Sequence, residues 1–419
     1  MAKKISIISL GCVRNTVDSQ ALLGEAKGQG FDVVSRLDQA DTVIINTCGF
    51  IEAAKKESID TILDVIALKA QGKIKRIVVA GCLSERYAQE LKKEFPEVDE
   101  FRGVRQLLKD KVQKQVRLTP EHLAYLKICE SCFNHCAFCV IPKIKGRFSS
   151  REMISVLKEA ERLDRQGVKE LNIVGQDITA YGMDLYRKAR LADLVKDLCS
   201  SLNNVHWIRL LYMYPAHMTD ELLHVMAEEK RICKYVDIPL QHISDRILKS
   251  MKRNITAAGT RALIKKIRKI VPEVRIRTAF ITGLPGETGA EFKELCDFVK
   301  EMRFDKVGVF EYSAEEGTPA FDMPGQVPHK VKRARRNTLM KIQQKVSSEL
   351  QKEWIGRTSE VLIEACQERG LYAGRTQYDA PDVDGVVYVR SARKLQIGQF
   401  VQAKVVDSYE YDLVSEVIL

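Results

Sequence analysis

Near the start of the chain, three cysteines follow strand-like apolar runs at almost constant spacing. Cys12, Cys48 and Cys82 are 36 and 34 residues apart, and each stands beside a glycine. A spacing of about one strand and one helix predicts parallel strands joined by crossover helices. The carboxyl ends of adjacent parallel strands share one edge of a sheet, so the three thiols are expected to converge there. We interpret them as a metal-cluster site, with ordinary core cysteines as the alternative.

The alternation of strand and helix patterns continues along most of the chain. The first series has strands at Ile5–Leu10, Thr42–Asn46 and Arg76–Ala80 and helices at Asp18–Gln29 and Ala53–Ala70. From about Leu126 a second series begins, and six βα units of this kind suit a full or partial barrel. Its strands are expected at Tyr125–Ile128, Glu170–Val174, Trp207–Tyr212, Val236–Leu240, Arg275–Ile281 and Lys306–Glu311.

The last part of the chain has a different pattern. A basic helical stretch from Pro328 to Trp354 is followed by short strands at Glu360–Glu364, Gly385–Val389 and Gln399–Val405, which predict a small β-domain of barrel or OB-like type. The sequence therefore predicts an α/β protein with an N-terminal parallel βαβ domain (1–118), a central partial (β/α)6 barrel with a linker helix (119–352) and a C-terminal small β-barrel (353–419).

A second set of cysteines lies on a loop after the first barrel strand. Cys132, Cys136 and Cys139 have the spacing CxxxCxxC. Three thiolates on one short loop can hold three irons of a four-iron cluster and leave the fourth iron open. An open iron can bind S-adenosylmethionine and deliver the electron that releases a 5′-deoxyadenosyl radical. A zinc site or three unrelated thiols are the alternatives.

Five other cysteines and one histidine are further candidate ligands. Cys129 could be a fourth ligand, which would close the cluster and leave an electron carrier, but it ends a strand and is expected to be a buried bystander. His135, within the loop, is expected to be a solvent-facing spacer. The remaining thiols show no pattern and are expected to be core residues: Cys199, Cys233, Cys296 and Cys366.

Charge and hydropathy limit the class of partner. The chain carries +11, but residues 353–419 hold seven Lys/Arg and eleven Asp/Glu, so the tail has a net charge of −4 and the rest +15. The basic part is compatible with an RNA or ribosomal partner. Apolar stretches are too short to span a bilayer and no secretory signal is evident, so a cytoplasmic protein without disulfides is expected.

Along its full length and in domain order, the chain resembles the methylthiotransferases of the radical S-adenosylmethionine superfamily, with a tail similar to a TRAM domain. It is most similar to the type that modifies an aspartate of small-subunit ribosomal protein twelve, and less to the type that modifies adenosine in tRNA. The residues behind this choice are Gly175-Gln-Asp177 with Tyr181-Gly182, Leu211–Pro215, Asp237–His242, Tyr312–Pro319 and Arg375–Gly385. The acidic tail suits a basic ribosomal protein better than tRNA phosphates.

The resemblance implies specific roles for residues. It implies two 4Fe–4S clusters, one at Cys12, Cys48 and Cys82 and one at Cys132, Cys136 and Cys139, with S-adenosylmethionine near Phe138, Gly175 and Gln176. No side chain is expected as a catalytic acid or base, because the radical comes from the cofactor. Gly283–Glu287 is either a cofactor-lining turn or a βα connection, and Asp382 and Asp384 are either substrate contacts or turn residues.

The implied partners are a ribosomal small-subunit protein, free or within the ribosomal particle, and an external electron donor. No membrane or DNA partner is expected. Two alternatives remain open at this point: a tRNA-adenosine methylthiotransferase, and a two-cluster electron-transfer protein without catalysis.

Overall fold

The computed structural model describes residues 3–107 and 116–418. Its N-terminal unit is a parallel sheet with strand order β2-β1-β3-β4-β5. The strands are β1 (Lys4–Ser9), β2 (Asp32–Val33), β3 (Thr42–Thr47), β4 (Arg76–Gly81) and β5 (Glu100–Gly103). The helices are α1 (Val13–Gly28), α2 (Glu52–Ala70), α3 (Cys82–Arg86), α4 (Ala88–Glu94) and α5 (Val104–Leu107). The predicted parallel sheet is confirmed, but α1 begins five residues earlier than expected.

The central unit is an open barrel of six parallel strands. Two three-stranded sheets, β6-β9-β10 and β11-β12-β13, are joined by a bridge between Ile208 and Ile232. The strands of this unit are β6 (Leu123–Lys127), β7 (Cys129–Glu130), β8 (Ser149–Ser150), β9 (Glu170–Val174), β10 (Trp207–Leu210), β11 (Tyr235–Asp237), β12 (Arg275–Thr282) and β13 (Lys306–Glu311). Its helices are α6 (Ile141–Lys145), α7 (Met153–Arg165), α8 (Leu191–Ser201), α9 (Asp220–Glu228), α10 (Asp245–Ser250), α11 (Ala257–Ile270) and α12 (Gly289–Met302). The predicted partial barrel is confirmed.

Side chains alternate across the barrel strands. Apolar residues such as Leu126, Ile173 and Ile208 pack outward against the helices in the largest core cluster. Their neighbours along the strands include buried polar residues such as Asn172 and Arg209. Because alternate residues of a strand point to opposite faces, the barrel interior is lined by polar and charged groups.

The C-terminal unit is a small closed barrel that follows one long helix. Helix α13 (His329–Lys352) leads into β14 (Thr358–Glu368), β15 (Leu371–Arg375), β16 (Val387–Arg390), β17 (Phe400–Ser408) and β18 (Leu413–Val417). These strands close in the order β14-β15-β16-β18-β17, which confirms the expected barrel and adds two strands that were not foreseen. Among the helices that the structure describes, none is long and apolar enough to cross a membrane.

The C-terminal barrel inserts its loop between β15 and β16 into the amino end of the central barrel. Asp384 accepts a hydrogen bond of 2.6 Å from the hydroxyl of Tyr235, the first residue of β11. Asp379 pairs at 2.8 Å with Lys306, the first residue of β13, and Asp382 accepts from the hydroxyl of Tyr125 at 3.3 Å. These contacts join two domains at the barrel end opposite the cysteines and favour the interpretation of Asp384 as a turn residue over that of a substrate contact.

Candidate active site

The three N-terminal cysteines meet at the carboxyl edge of the sheet. Cys12 directly precedes α1, Cys48 follows β3, and Cys82 begins α3 after β4. Two glycines make the close approach possible: a Cβ on Gly11, which has φ +86°, would lie 3.0 Å from the Cys48 sulfur, and one on Gly49 would lie 2.8 Å from the backbone of Leu83. Larger residues at these positions would push the cysteine loops apart.

Asn15, on the first turn of α1, connects these loops. Its Nδ2 donates to the carbonyl oxygens of Leu10 and Thr47, both at 3.1 Å, and its Oδ1 lies 3.8 Å from the sulfur of Cys82. One buried amide therefore contacts the ends of β1 and β3 and one of the three cysteines. This arrangement holds the N-terminal site in shape without a bound metal.

The three N-terminal thiols differ in their electrostatic surroundings. Burial raises the pKa of Cys82 to about 12 and also raises that of Cys48. Burial acts in the same direction on Cys12, but the charge of Arg14 and the hydrogen bond from its Nε to the Cys12 sulfur, at 3.4 Å, leave the pKa of Cys12 below its ordinary value. Cys12 is thus the member of the set most readily deprotonated for metal binding.

The second cysteine set lies on the loop between β7 and α6, above a short antiparallel stem formed by β7 and β8. The backbone N–H and Nδ2 of Asn134 donate to the sulfur of Cys132 at 3.4 and 3.5 Å. The Nη1 of Arg253 donates to the sulfur of Cys136 at 3.6 Å. Burial raises the pKa of Cys132 to about 11 and that of Cys139 to about 12.

Both sets consist of cysteines alone, and cysteine thiolates are the usual ligands of iron–sulfur clusters. Among the described residues, no three His, Cys, Asp or Glu side chains are arranged to hold one metal ion. In a four-iron cluster each cysteine binds a different iron, so the thiols stand around the cluster and do not meet at a point. Hydrogen-bond donors aimed at Cys12, Cys132 and Cys136 suit sulfur atoms that become negatively charged when metal binds.

Cys129 lies in β7, just before the second loop. It is fully buried, its sulfur donates to the carbonyl of Asp177 at 3.6 Å, and a Cβ on Gly175 would lie 2.4 Å from it. This packing supports the bystander interpretation. His135 is exposed, as expected for a spacer.

The four unpatterned cysteines fall into two groups. Cys199, Cys233 and Cys296 pack in or against hydrophobic cores, as expected. Cys366 is exposed, and the expectation of core packing is wrong there. It lies in a part of β14 where the pairing with β15 is irregular.

Arg14 joins the N-terminal site to the barrel. Its Nη1 donates to the carbonyl oxygen of Gly175 at 3.1 Å, just after β9, and its guanidinium lies 4.4 Å from the centre of the Tyr212 ring, beyond β10. Its charge also acts on both Cys12 and Cys139, one cysteine from each set. The two sites are therefore neighbours. Sequence reasoning missed Arg14, because no spacing marks a residue whose partners lie on another domain.

Asp177 holds the second loop in place. Its carboxylate accepts a 2.8 Å hydrogen bond from Nδ2 of Asn134, which in turn contacts Cys132, and lies 2.8 Å from Nδ1 of His217. It also caps the turn after β9 by accepting from the backbone N–H of Thr179. The sequence shows Asp177 only as part of the stretch Gly175-Gln-Asp177, and its link to the cysteine loop depends on the three-dimensional fold.

The residues expected near the cofactor lie at the carboxyl ends of the barrel strands. Phe138 packs against a cluster that includes Leu284 and Tyr312, while Gly175 and Gln176 follow β9. Some buried polar atoms there have no hydrogen-bond partner among the described residues: Gln176 Oε1, Arg253 Nε and the Tyr312 hydroxyl. Buried polar groups are normally paired, so this end of the barrel suits a polar ligand such as S-adenosylmethionine.

The turn at Gly283–Glu287 is stabilised by its own hydrogen bonds. The backbone N–H of Gly283 donates to Glu287 at 2.8 Å, and the same carboxylate pairs with Arg335 of α13 at 2.7 Å. These internal bonds support its interpretation as a βα connection.

Comparison with protein families matches three consecutive regions of the chain. Residues 4–103 match the uncharacterized protein family UPF0004, residues 126–299 the radical SAM superfamily, and residues 355–418 the TRAM domain. The chain is 43% identical over 439 residues to the "ribosomal protein uS12 methylthiotransferase RimO" of Clostridioides difficile, covering 99% of both chains. It is 45% identical to the protein of the same name from Thermoanaerobacter sp., covering 99% of this chain and 100% of that relative.

Among solved structures, the fold is similar to the radical S-adenosylmethionine methyltransferase TsrM from Kitasatospora setae. The TM-score is 0.57 at 14% identity, with 91% of this chain and 82% of that chain covered. At this identity the similarity concerns the fold alone.

Proposed function

The chain belongs to the RimO family of radical S-adenosylmethionine methylthiotransferases, and from this membership we propose that it attaches a methylthio group to the β-carbon of an aspartate in ribosomal protein uS12. The observation that carries the proposal is the meeting of two three-cysteine sites around Arg14. Transfer of a methylthio group to an unactivated carbon needs a radical source and a sulfur source side by side, and this arrangement provides a place for both.

Two 4Fe–4S clusters and S-adenosylmethionine are the cofactors of this family. We assign one cluster to Cys12, Cys48 and Cys82 and the other to Cys132, Cys136 and Cys139. The chemistry that the bound groups supply is reductive cleavage of S-adenosylmethionine at the second set and delivery of a methylthio group at the first.

The chain's own residues orient these groups and keep water away from them. Arg14 fixes the N-terminal site against the ends of β9 and β10 through Gly175 and Tyr212. Asp177 and Asn134 hold the second loop in one conformation, and Phe138 packs against the apolar cluster that includes Leu284 and Tyr312. The Oε1 of Gln176 and the Nε of Arg253 have no hydrogen-bond partner among the described residues and are available to the amino acid part of S-adenosylmethionine. Such a fixed, closed geometry is what a radical reaction requires, because a loose radical reacts with the nearest bond.

The partners follow from the chemistry. Ribosomal protein uS12 is the substrate that the names of the relatives indicate, and an external one-electron donor is needed for each cleavage of S-adenosylmethionine. The enzyme modifies uS12 either as the free protein or within the ribosomal particle, and the proposal includes both forms of the substrate.

The test is an anaerobic reaction of the enzyme with both clusters reconstituted, S-adenosylmethionine and dithionite, offered either uS12 or unmodified tRNA. Mass spectrometry of each substrate reads the result. A methylthio mass gain on an aspartate-containing peptide of uS12 is expected. A methylthio mass gain on adenosine would confirm the reaction type but contradict the assignment of uS12 as the substrate. Cleavage of S-adenosylmethionine without a mass gain on uS12 or tRNA would contradict the transfer reaction.

A matched pair of variants tests the assignment of the N-terminal site. Cys48→Ala should stop the methylthio gain while 5′-deoxyadenosine still forms. Cys233→Ala, a core cysteine outside both sets, should retain both. Full methylthiolation by Cys48→Ala would contradict the cluster assignment.

A further inference from the structure

The substrate residue of the proposed reaction carries a negative charge beside the carbon that reacts. The carboxylate of an aspartate is bonded directly to its β-carbon, so the groups that bind this carboxylate have to lie close to both cysteine sites. Removal of a carboxylate from water is unfavourable unless a cation and hydrogen-bond donors replace the solvent around it. Such groups are expected in the barrel interior, next to the residues that join the two sites.

Asp237, the last residue of β11, connects a tyrosine and an arginine inside the barrel. The residue is buried, with 2% of its surface accessible. Its Oδ2 accepts a hydrogen bond of 2.9 Å from the backbone N–H of Tyr212, and its Oδ1 accepts one of 3.0 Å from Nη1 of Arg277. Arg277 lies opposite Asp237 in the register of β11 and β12. One carboxylate therefore fixes the positions of both residues.

Tyr212 combines a strained backbone with an unused hydroxyl. It follows β10 with a φ of +67°, a left-handed conformation that is rare for a bulky residue. Backbone strain of this kind is concentrated at functional sites. Arg14 lies over the ring of Tyr212 and Asp237 holds its N–H, but its hydroxyl forms no hydrogen bond with any described residue. The side chain is thus fixed in place with a donor available to a ligand.

Arg277 also has donors to spare. Only its Nη1 donates a hydrogen bond to a described residue, and 22% of its side chain is accessible. A second carboxylate, that of Asp384, lies 3.7 Å from its Nε. Asp237 bonds to Tyr212 as well, and Asp384 bonds to the hydroxyl of Tyr235, so neither carboxylate depends on Arg277 alone. A guanidinium has five N–H donors, and these contacts leave part of the set free.

The hydroxyl of Tyr212 lies within the electrostatic reach of two arginines. Burial raises the pKa of Tyr212, and the charges of Arg14 and Arg277 both oppose this rise, while Cys12 and Asp237 add to it. Arg14 forms no ion pair with a carboxylate in the described part of the chain, and its Nε contacts the Cys12 sulfur. The free donors of Tyr212 and Arg277 are therefore next to a cation that touches the N-terminal cysteine site.

We propose that the hydroxyl of Tyr212 and the guanidinium of Arg277 bind the side-chain carboxylate of the substrate aspartate and thereby select an acid over an amide. The inference deepens the proposed function and rests on it. Both groups only donate hydrogen bonds to a carboxylate, and charge assistance makes such bonds strong. The amide of an asparagine would turn N–H donors toward them and leave buried donors unpaired, which is the kind of mismatch that binding sites reject most strongly.

The first experiment measures steady-state methylthiolation with varied concentrations of uS12 and of S-adenosylmethionine. Tyr212→Phe keeps the ring on Arg14 and removes only the hydroxyl. It should lower kcat/KM for uS12 about tenfold, the usual effect of losing one hydrogen bond to a charged group, with iron content and KM for S-adenosylmethionine unaltered. Arg277→Lys should act in the same direction, because an ammonium keeps the charge but lacks the planar set of donors.

Two control variants match these changes. Tyr87 is another tyrosine whose ring lies beside an arginine, at 4.9 Å from Arg86, and its hydroxyl forms no hydrogen bond with a described residue. Arg165 is exposed at the end of α7. Tyr87→Phe and Arg165→Lys should both leave kcat/KM for uS12 unaltered.

The second experiment measures binding without turnover. Calorimetric titration compares uS12 with uS12 in which the target aspartate is replaced by asparagine. The unaltered protein should bind the aspartate form about tenfold more tightly, and Tyr212→Phe should lose most of this preference. An equal loss of affinity for both forms would show that the hydroxyl does not contact the carboxylate and would overturn the proposal.

The methionine part of S-adenosylmethionine carries a carboxylate too, and the two KM values separate the two sources. A raised KM for S-adenosylmethionine with an unaltered kcat/KM for uS12 would assign the donors to the cofactor and overturn the proposal. Unaltered kinetics in both Tyr212→Phe and Arg277→Lys would overturn it as well. The proposed function fails separately, by absence of any methylthio gain on uS12 with the unaltered enzyme.

Discussion

At the scale of single residues, Arg14 is the group that connects the two candidate cluster sites. It contacts the sulfur of Cys12, the carbonyl of Gly175 and the ring of Tyr212, which belong to two domains. Hydrogen bonds and positive charge near a cluster sulfur raise the reduction potential of an iron–sulfur cluster. Arg14 is thus expected to act on the electronic properties of the N-terminal cluster as well as on its position.

Replacing Arg14 with Gln should therefore make the midpoint potential of the N-terminal cluster more negative. The change removes the charge and the donor that face Cys12. The potential of the other cluster should move less, because Arg14 acts on Cys139 through charge alone. Redox titration followed by electron paramagnetic resonance measures both. Arg14→Lys should recover part of the shift, and Arg36→Gln, at an exposed pair with Asp38, should cause none. An unchanged potential in Arg14→Gln would refute this role.

Cys129 provides a second prediction at this scale. Because its sulfur packs against Gly175 and the carbonyl of Asp177, Cys129→Ala should keep the full iron content of the protein. The Cys129→Ala substitution should lower the unfolding free energy by about 1 kcal/mol, which is common when a small side chain in a core is shortened. Cys136→Ala should lose the iron of one cluster. Iron analysis and denaturant unfolding measure the two effects. Loss of iron in Cys129→Ala would favour a closed cluster and an electron-carrier function.

The spacing of the cysteines was enough to predict which thiols come together, because local motifs and strand ends fix their positions. The groups that surround them were not predictable in the same way. Nothing in the sequence distinguishes Asn134 from the other residues of its loop as a hydrogen-bond donor to a cysteine. Arg253 lies more than a hundred residues after the cysteine that it contacts. Hydrogen bonds of this kind depend on how domains and distant loops meet, and a single sequence carries no periodic signal for that.

At the scale of elements, α1 has the largest effect on the arrangement of the active site. The helix starts directly after Cys12, so Arg14 and Asp18 lie one turn apart and both face the barrel. Asp18 pairs with Lys127 at the end of β6 and with Lys145 at the end of α6, the latter at 2.9 Å. Glu130 completes the group by pairing with Lys127. Two carboxylates and two ammonium groups thus balance one another inside the protein.

Removing one charge from this group should be costly. Asp18→Asn leaves two buried lysines with one carboxylate, and breaking a buried ion pair in this way typically costs about 3–5 kcal/mol. Urea unfolding should show the loss. Asp60→Asn, at an exposed position of α2, is the control and should change the unfolding free energy little. A stability equal to that of the unaltered protein in Asp18→Asn would show that the ion group does not hold α1 to the barrel.

Most elements could be predicted from hydrophobic pattern, and the exceptions have physical reasons. The sequence predicts the start of α1 only at Asp18, because three polar residues stand between Val13 and Val17 and no longer apolar pattern marks a helix there. The contact of Asn15 with the neighbouring strand supports this first turn in the structure. Strands β15 and β18 were not predicted because β15 contains Gly374 and β18 contains the polar pair Ser415-Glu416, so neither shows a clear strand pattern. Closure of the small barrel, a property of the whole sheet, stabilises them.

At the scale of the whole molecule, the C-terminal barrel is joined to the central barrel by buried charges. Glu170, the first residue of β9, pairs with Arg209 at 2.8 Å and with Arg375 of β15 at 2.6 Å. Burial alone would raise the pKa of Glu170, but the two arginines outweigh burial and lower it from 4.5 to about 2. The ionised carboxylate is therefore part of the folded structure.

This pairing predicts a specific acid sensitivity. A carboxylate whose pKa is lowered in the folded state stabilises the protein above its unfolded pKa and loses that contribution as the pH falls from about 4.5 through about 2. Glu170→Gln should lower the unfolding free energy at neutral pH by about 3 kcal/mol, and the gap to the unaltered protein should narrow across that window. Urea unfolding at several pH values measures it. Glu368→Gln, exposed on β14, is the control. A gap that stays constant with pH would contradict the ionised state of Glu170.

The charged contacts between the two barrels explain why the net charge of the tail is a poor guide to the partner of the protein. Glu364, Asp379 and Asp384 contribute to the negative net charge of the tail, but they face Arg375, Lys306 and Arg277 inside the protein. Net charge does not distinguish a carboxylate in solvent from one that neutralises a buried cation. The substrate assignment therefore rests on the family relationship, and the tail charge no longer supports it.

The anchoring of the C-terminal loop inside the central barrel also sets the reach of the enzyme. Three residues of the small barrel are bound to first residues of central barrel strands: Asp379, Asp384 and Arg375. These contacts fix the orientation of the small barrel, so it does not rotate freely about the end of α13. Its outer surface stays at a constant offset from the cysteine loops. A large particle bound to the small barrel would therefore present the same point of its surface to the reaction centre each time. The fixed distance between the two barrels would select which position on the partner is modified.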